Sequence, residues 1–243
     1  MADPIVIVPS DDAEERLWRV THEIADLLAG LPWVLIGGQM VTLLEREHGG
    51  RTGRATRDVD ALMDVRALTG ATKEAARRLE SAGFAAELTT DGLSYRFARG
   101  ADIVDVLAPE NLGHRADLTT SPPGTTLETI GGTQALRRRR DVTVNVLDDV
   151  FSLPVPTLAG ALVIKARAAS SSSNAKHRRD LARLLVLVSS IEEMRTQLTA
   201  KERGYLRAHQ ALLDPANEAW RGVAGATDGI IALSRLVSRF ACS

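Results

Sequence analysis

The segment Trp33–Met63, "WVLIGGQMVTLLEREHGGRTGRATRDVDALM", constrains the fold more tightly than any other. Four apolar residues, Trp33 to Ile36, read as a short buried strand ending on Gly37-Gly38. A helical pattern, QMVTLLEREHGG, starts at once and stops at Gly49. After a turn-rich basic loop comes a strand, RDVDALMDV, in which Val59 separates Asp58 from Asp60. Residues two apart on a strand share a face, so the two carboxylates stand side by side while Val59 turns away. Carboxylates that close raise each other's pKa unless a cation lies between them. A metal ion is the simplest such cation.

The remaining pattern divides the chain. Ser10 reads as the N-cap of a first helix carrying Leu17, Val20, Ile24, Leu27 and Leu28 at helical spacing, with Gly30 as its stop. TKEAARRLESAGF reads as an amphipathic helix. AAELTT, SYRFA and ADIVDVLA read as three short strands with turns at Asp91-Gly92 and Gly100. Residues 109–133, rich in Pro, Gly and Thr, read as a surface loop, and DVTVNVL as a further strand. The character changes at Pro154-Val155-Pro156. From Thr157 onward the pattern is helical, over 157–169, 176–189, 199–214 and 225–239, with the run SSSSN between the first two. The expected class is α+β: a mixed sheet with flanking helices over 1–153, then an all-helical part over 154–243.

Composition removes several functional classes. The net charge is -1, so nucleic acid would have to meet a local patch rather than the whole surface. The single cysteine, Cys242, permits neither an internal disulfide nor a cysteine zinc site. The N-terminus has no basic leader and no apolar run reaches membrane-spanning length, so a cytoplasmic protein with no membrane partner is expected. His22, His48, His114 and His209 form no evident catalytic or ligand pattern.

Taken singly, the motifs are weak. Gly-Gly before a helix is commonly a tight turn, although its open N–H groups and the helix dipole suit a phosphate. Carboxylates on a strand commonly face solvent. Their order carries more weight, because a third carboxylate follows on ADIVDVL. Asp102 and Asp105 are three apart and face opposite sides. Asp105 lies between Val104 and Val106, inside the apolar run, and is the expected third member. Three converging carboxylates suit Mg²⁺ and an in-line displacement at phosphorus.

The Gly-Gly helix, the Asp-x-Asp strand preceded by Thr56, and the later Asp strand resemble the nucleotidyltransferase fold typified by DNA polymerase beta. ALVIKARAASSSSNAKHRRDLARLL further resembles the Lys-x-x-Ala and basic-Asp motifs of the abortive-infection nucleotidyltransferase toxins (AbiEii type), including the mycobacterial MenT toxins. Lys165 with Ala168 matches the first motif, and Arg179-Asp180 the second. The resemblance covers roughly residues 33–186. It implies transfer of a nucleoside monophosphate from an NTP to an RNA 3′ end, by resemblance tRNA at its acceptor stem. It further implies a toxin role beside a cognate antitoxin protein. Asp58, Asp60 and Asp105 would ligate Mg²⁺; Gly37, Gly38, Thr56 and Lys165 would meet the nucleotide; Lys165 and Asp180 would complete the catalytic set.

The residues themselves allow this. Lys165 lies in the apolar stretch LVIKA and needs a partner, either a triphosphate or Asp180, unless it snorkels to the surface. Asp180 follows Lys176, His177, Arg178 and Arg179, and could orient Lys165 or a basic neighbour. From 137 to 183 there are ten Lys and Arg against four Asp and Glu, a local excess of six. Arg137, Arg138, Arg139, Arg140, Lys176, Arg178 and Arg179 are therefore candidates for an RNA backbone surface, with Arg51, Arg54 and Arg57 extending it. Two rival readings keep the fold: an antibiotic nucleotidyltransferase, whose drug pocket would be acidic, and an inactive nucleotide-binding protein.

Overall fold

A computed structural model describes residues 3–50, 56–113, 116–147, 149–171 and 174–238. Arg51, Arg54, His114, Ser172, Ser173 and Cys242 lie outside the described residues.

The strands are β1 (Ile5–Ile7), β2 (Trp33–Ile36), β3 (Asp58–Met63), β4 (Ala85–Glu87), β5 (Arg96–Arg99), β6 (Asp102–Pro109), β7 (Leu127–Thr129), β8 (Arg139–Val146) and β9 (Asp149–Pro156). The helices are α1 (Asp12–Leu27), α2 (Gly37–Glu47), α3 (Ala71–Ser81), α4 (Gly132–Arg137), α5 (Leu158–Ser171), α6 (Ala175–Val186), α7 (Ile191–Gln197), α8 (Ala200–Arg207) and α9 (Ala226–Val237). Two short 3₁₀ turns, Gln210–Leu213 and Glu218–Trp220, precede α9. The class is α+β with mixed sheets.

Six strands form the main sheet in the order β2-β3-β6-β5-β4, with β7 beside the far end of β6. β3 and β6 run parallel in a register that sets Asp60 opposite Asp105, while β2 and β5 flank them antiparallel. A smaller sheet, β1-β8-β9, packs against the same body.

Strand alternation sorts side chains into two cores. Val59, Ala61 and Met63 of β3 join Trp18 and Ile24 of α1, Leu79 of α3, and the inner face of the small sheet. Leu62, Val34 and Ile36 face the other way, onto Met40 and Leu44 of α2 and onto the helices α5 and α6. Each fully buried Leu or Val contributes roughly 1.5–3 kcal/mol, so this second core binds the helical part firmly to the sheet. Helix α5 is buried almost all round, from Ala159 to Ala166, as expected of a helix apolar on every face.

Several elements differ from the sequence reading. The cap of α1 is Asp11, which accepts from the Glu14 N–H, while Glu14 reaches back to accept from Ser10. The 109–133 segment contains β7 and the start of α4. The stretch 199–214 divides into α8 and a 3₁₀ turn. The last strand, β9, runs on to Pro156, and both of its late prolines pair with β8 at the sheet margin, where a missing N–H is tolerated.

Candidate metal centre

The site lies where β2 ends and β3 begins. At Gly37 the chain enters α2 with φ +72°, a conformation that favours glycine. The space is as restrictive as the angle, because a Cβ on Gly37 would lie 1.7 Å from Asp60 Oδ2. Gly38 is buried in the first turn, and no side chain caps the N-terminus of α2. The uncapped turn therefore opens beside the Asp60 carboxylate.

Asp58, Asp60 and Asp105 each offer a carboxylate oxygen, and these oxygens lie within 4.8 Å of one another. Asp105 is buried; Asp58 and Asp60 are partly exposed. The three share the face that Leu62 and Leu107 bury farther along the same strands. Thr56 Oγ1 donates to Asp58 Oδ1 at 3.0 Å. Arg96 on β5 grips Asp105 through Nε and Nη2, both at 2.8 Å, and this pairing holds its guanidinium above its ordinary pKa. Asp60 is pushed up to about 7, first by burial and then by the charges of Asp58 and Asp105. Lys165 and Lys176 pull it back. An all-oxygen donor set carrying mutual repulsion, with one carboxyl raised by burial and by its neighbours, fits a hard divalent cation. These three residues could hold a metal ion.

Lys165, on α5, lies near enough for its charge to act on Asp60. Its Nζ donates to Asp180 Oδ2 at 2.8 Å, with the lysine 4 % and the aspartate 0 % exposed. Asp180 also lies 3.9 Å from Arg183 Nη1, and Arg183 grips Glu45 of α2 through Nε and Nη2. A buried charge relay thus runs Lys165–Asp180–Arg183–Glu45 across α5, α6 and α2.

The basic candidates are treated unequally. Lys176, Arg178 and Arg179 stand together in the first turns of α6. The run Arg137–Arg140 straddles the end of α4 and the start of β8, where successive strand side chains diverge. Arg138 pairs with Glu202, Arg139 with Asp141 and Arg140 with Glu47. Arg57 is exposed just before β3.

Two contributors escaped the sequence reading, Arg96 and the Arg183–Glu45 pair. Arg96 had a usable signal. A tight β5–β6 hairpin at Gly100 pairs Arg99 with Asp102, and counting back three residues on each strand pairs Arg96 with Asp105. The Arg183–Glu45 pair joins residues 138 apart and left no local trace.

No family model and no curated protein matches the chain. Among the described residues, no helix is long and apolar enough to cross a membrane.

Proposed function

We propose that the chain is a nucleotidyltransferase that moves a nucleoside monophosphate from an NTP to a nucleic-acid hydroxyl. The observation that carries this is the carboxylate triad at the foot of the Gly37 turn, with the Lys165 charge bearing on it. The order of turn, helix and acid-bearing strands supports the nucleotidyltransferase resemblance.

Asp58, Asp60 and Asp105 would hold Mg²⁺, which when bound supplies charge neutralisation at phosphorus and activation of the attacking hydroxyl. The uncapped start of α2 offers N–H groups to the triphosphate, and Gly37 lets the Asp60 carboxylate lie against that turn. The acceptor oxygen attacks the α-phosphorus, the α–β bridging bond breaks, and pyrophosphate departs. Asp105 takes the acceptor proton. Lys165, held by Asp180, balances charge building on the leaving group. The acceptor in this reading is an RNA 3′ end, with tRNA the first to test and a toxin–antitoxin setting following from the same resemblance. A cytoplasmic location goes with it.

Incubation with total RNA, Mg²⁺ and each radiolabelled NTP in turn tests the reading. Label should enter RNA with one or a few NTPs, and Asp58→Asn and Asp60→Asn should abolish it. No label in RNA with any NTP would refute the RNA acceptor; no pyrophosphate release with any acceptor would refute the transferase.

A further inference from the structure

Outside the triad, one cavity is built around a buried cation. Its volume is about 240 Å³, enough for a phosphate group, and it lies between α2, α6 and the turn after the Glu218–Trp220 segment. Arg179 and Arg183 of α6 and Arg221 of that turn line it, with Glu45. Arg183 is 6 % exposed, and its Nη1 is buried without a hydrogen bond. Glu45 engages the other two donors of that guanidinium, Nε and Nη2. Asp180 Oδ1 stands off from Nη1 at 3.9 Å. Arg179 and Arg221 form no ion pair among the described residues. Three guanidinium groups against one carboxylate leave the cavity with an excess of two positive charges. An arginine donor desolvated and unsatisfied costs free energy, which an anionic oxygen would recover.

The geometry points to a phosphate-binding subsite here, occupied by a backbone phosphodiester of the acceptor strand. This deepens the nucleotidyltransferase reading and rests on its nucleic-acid acceptor. The cavity is set apart from the triad. Glu45 lies eight residues beyond Gly37 on α2, about 12 Å along the helix axis. A triphosphate seated at the start of α2 would already be served there, whereas a strand with its end at the triad has further phosphates to place. A second cavity, of about 330 Å³, also has Arg179 in its lining, with Arg178, Ala216–Ala219 and, as its acid, Glu218. Both cavities are lined by α6 and by residues of the last quarter of the chain, which gives that quarter a role in holding the acceptor.

The test uses exposed residues, because removing Arg183 would strand the buried Glu45. Full-length wild type, Arg179→Gln, Arg221→Gln and a Lys201→Gln control on α8 are titrated against a 5′-fluorescein RNA hairpin with a single-stranded 3′ tail. Anisotropy is read over a series of KCl concentrations, and ATP-Mg²⁺ affinity is measured in parallel by calorimetry. Arg179→Gln and Arg221→Gln should each weaken RNA binding roughly tenfold at fixed salt, the size of one charged hydrogen bond. Each should also flatten the log–log salt slope by about 0.7. ATP affinity should be unchanged, and Lys201→Gln should match wild type. Unchanged slopes in both variants would overturn the subsite while leaving wild-type transfer to RNA standing. Lost ATP affinity with an unchanged RNA slope would assign the cavity to the triphosphate and overturn it equally. Wild type that releases pyrophosphate but binds no RNA would remove both the subsite and the RNA acceptor.

Discussion

A Cβ on Gly37 would fall 1.7 Å from Asp60 Oδ2. The carboxylate therefore fills the space that a side chain at position 37 would need. Gly37→Ala is expected to drive Asp60 off its position and to force a non-glycine residue to φ +72°. The backbone part alone costs on the order of 1–3 kcal/mol. Calorimetry with Mg²⁺ or Mn²⁺ should show metal binding weakened at least tenfold, and denaturant unfolding should show the stability loss. Metal affinity equal to wild type would mean that Asp60 is not a ligand.

Asp60 also sets a pH dependence. Its folded pKa, about 7, lies above the ordinary value of 3.8, so between those values the folded state binds more protons than the unfolded one. Stability without metal therefore falls as pH rises through this window and levels off above it. Asp60→Asn should leave stability unchanged near pH 4 and raise it at pH 8, by about 1–3 kcal/mol once the residue's partial exposure is allowed for. Urea unfolding in EDTA at the two pH values measures this. An Asn variant less stable than wild type at pH 8 would contradict the assigned repulsion. Because Asp60 must lose its proton to act as a ligand, Mg²⁺ affinity should climb up to about pH 7 and then flatten.

Arg96 neutralises Asp105 from the adjacent strand. Arg96→Ala leaves that buried carboxylate without its bidentate donor, a loss of roughly 1–3 kcal/mol. Magnesium should restore part of it, so the rise in Tm on adding Mg²⁺ should be larger in the variant than in wild type. Equal Tm shifts would place Asp105 outside the metal site.

The buried Lys165–Asp180 pair permits fold and chemistry to be separated. Either single change, Lys165→Met or Asp180→Leu, strands a buried charge and should cost about 3–5 kcal/mol. The double variant should recover most of that stability, since apolar replacement of a whole buried pair is often neutral. Its transfer rate should nevertheless stay down by on the order of 10²–10³, the usual loss of one preorganised charge. A stable double variant with full activity would show Lys165 to be structural only.

How much of this was legible follows from the range of each signal. Strand parity is local, so the shared face of Asp58 and Asp60 could be read from three residues. The apolar run around Lys165 announced a buried helix, and its charge demanded a partner; the structure supplies Asp180. The parallel pairing of β3 with β6 is a matter of topology, and spacing alone could nominate Asp105 but not bring it opposite Asp60. β9 was hidden by Pro154 and Pro156, where the sequence pattern placed the change to helix; both prolines pair with β8 at the sheet margin. The arginine run shows a related limit. Consecutive charges look like a patch in sequence, yet a strand sends Arg139 and Arg140 to opposite sides, and the chain's own carboxylates engage Arg138, Arg139 and Arg140.

The second core has a consequence for how the molecule is made. Its strand face is synthesised early, with Val34, Ile36 and Leu62, but its cover, Leu162 of α5 and Leu181 and Leu184 of α6, comes a hundred or more residues later. The same delay separates Glu45 from Arg183, and Asp60 from Lys165. On a ribosome, the acid cluster would emerge with neither its cation nor its roof, and the sheet would stay exposed until α6 was out. Any reactive site assembled from these parts is therefore a late product of translation, withheld until most of the chain exists.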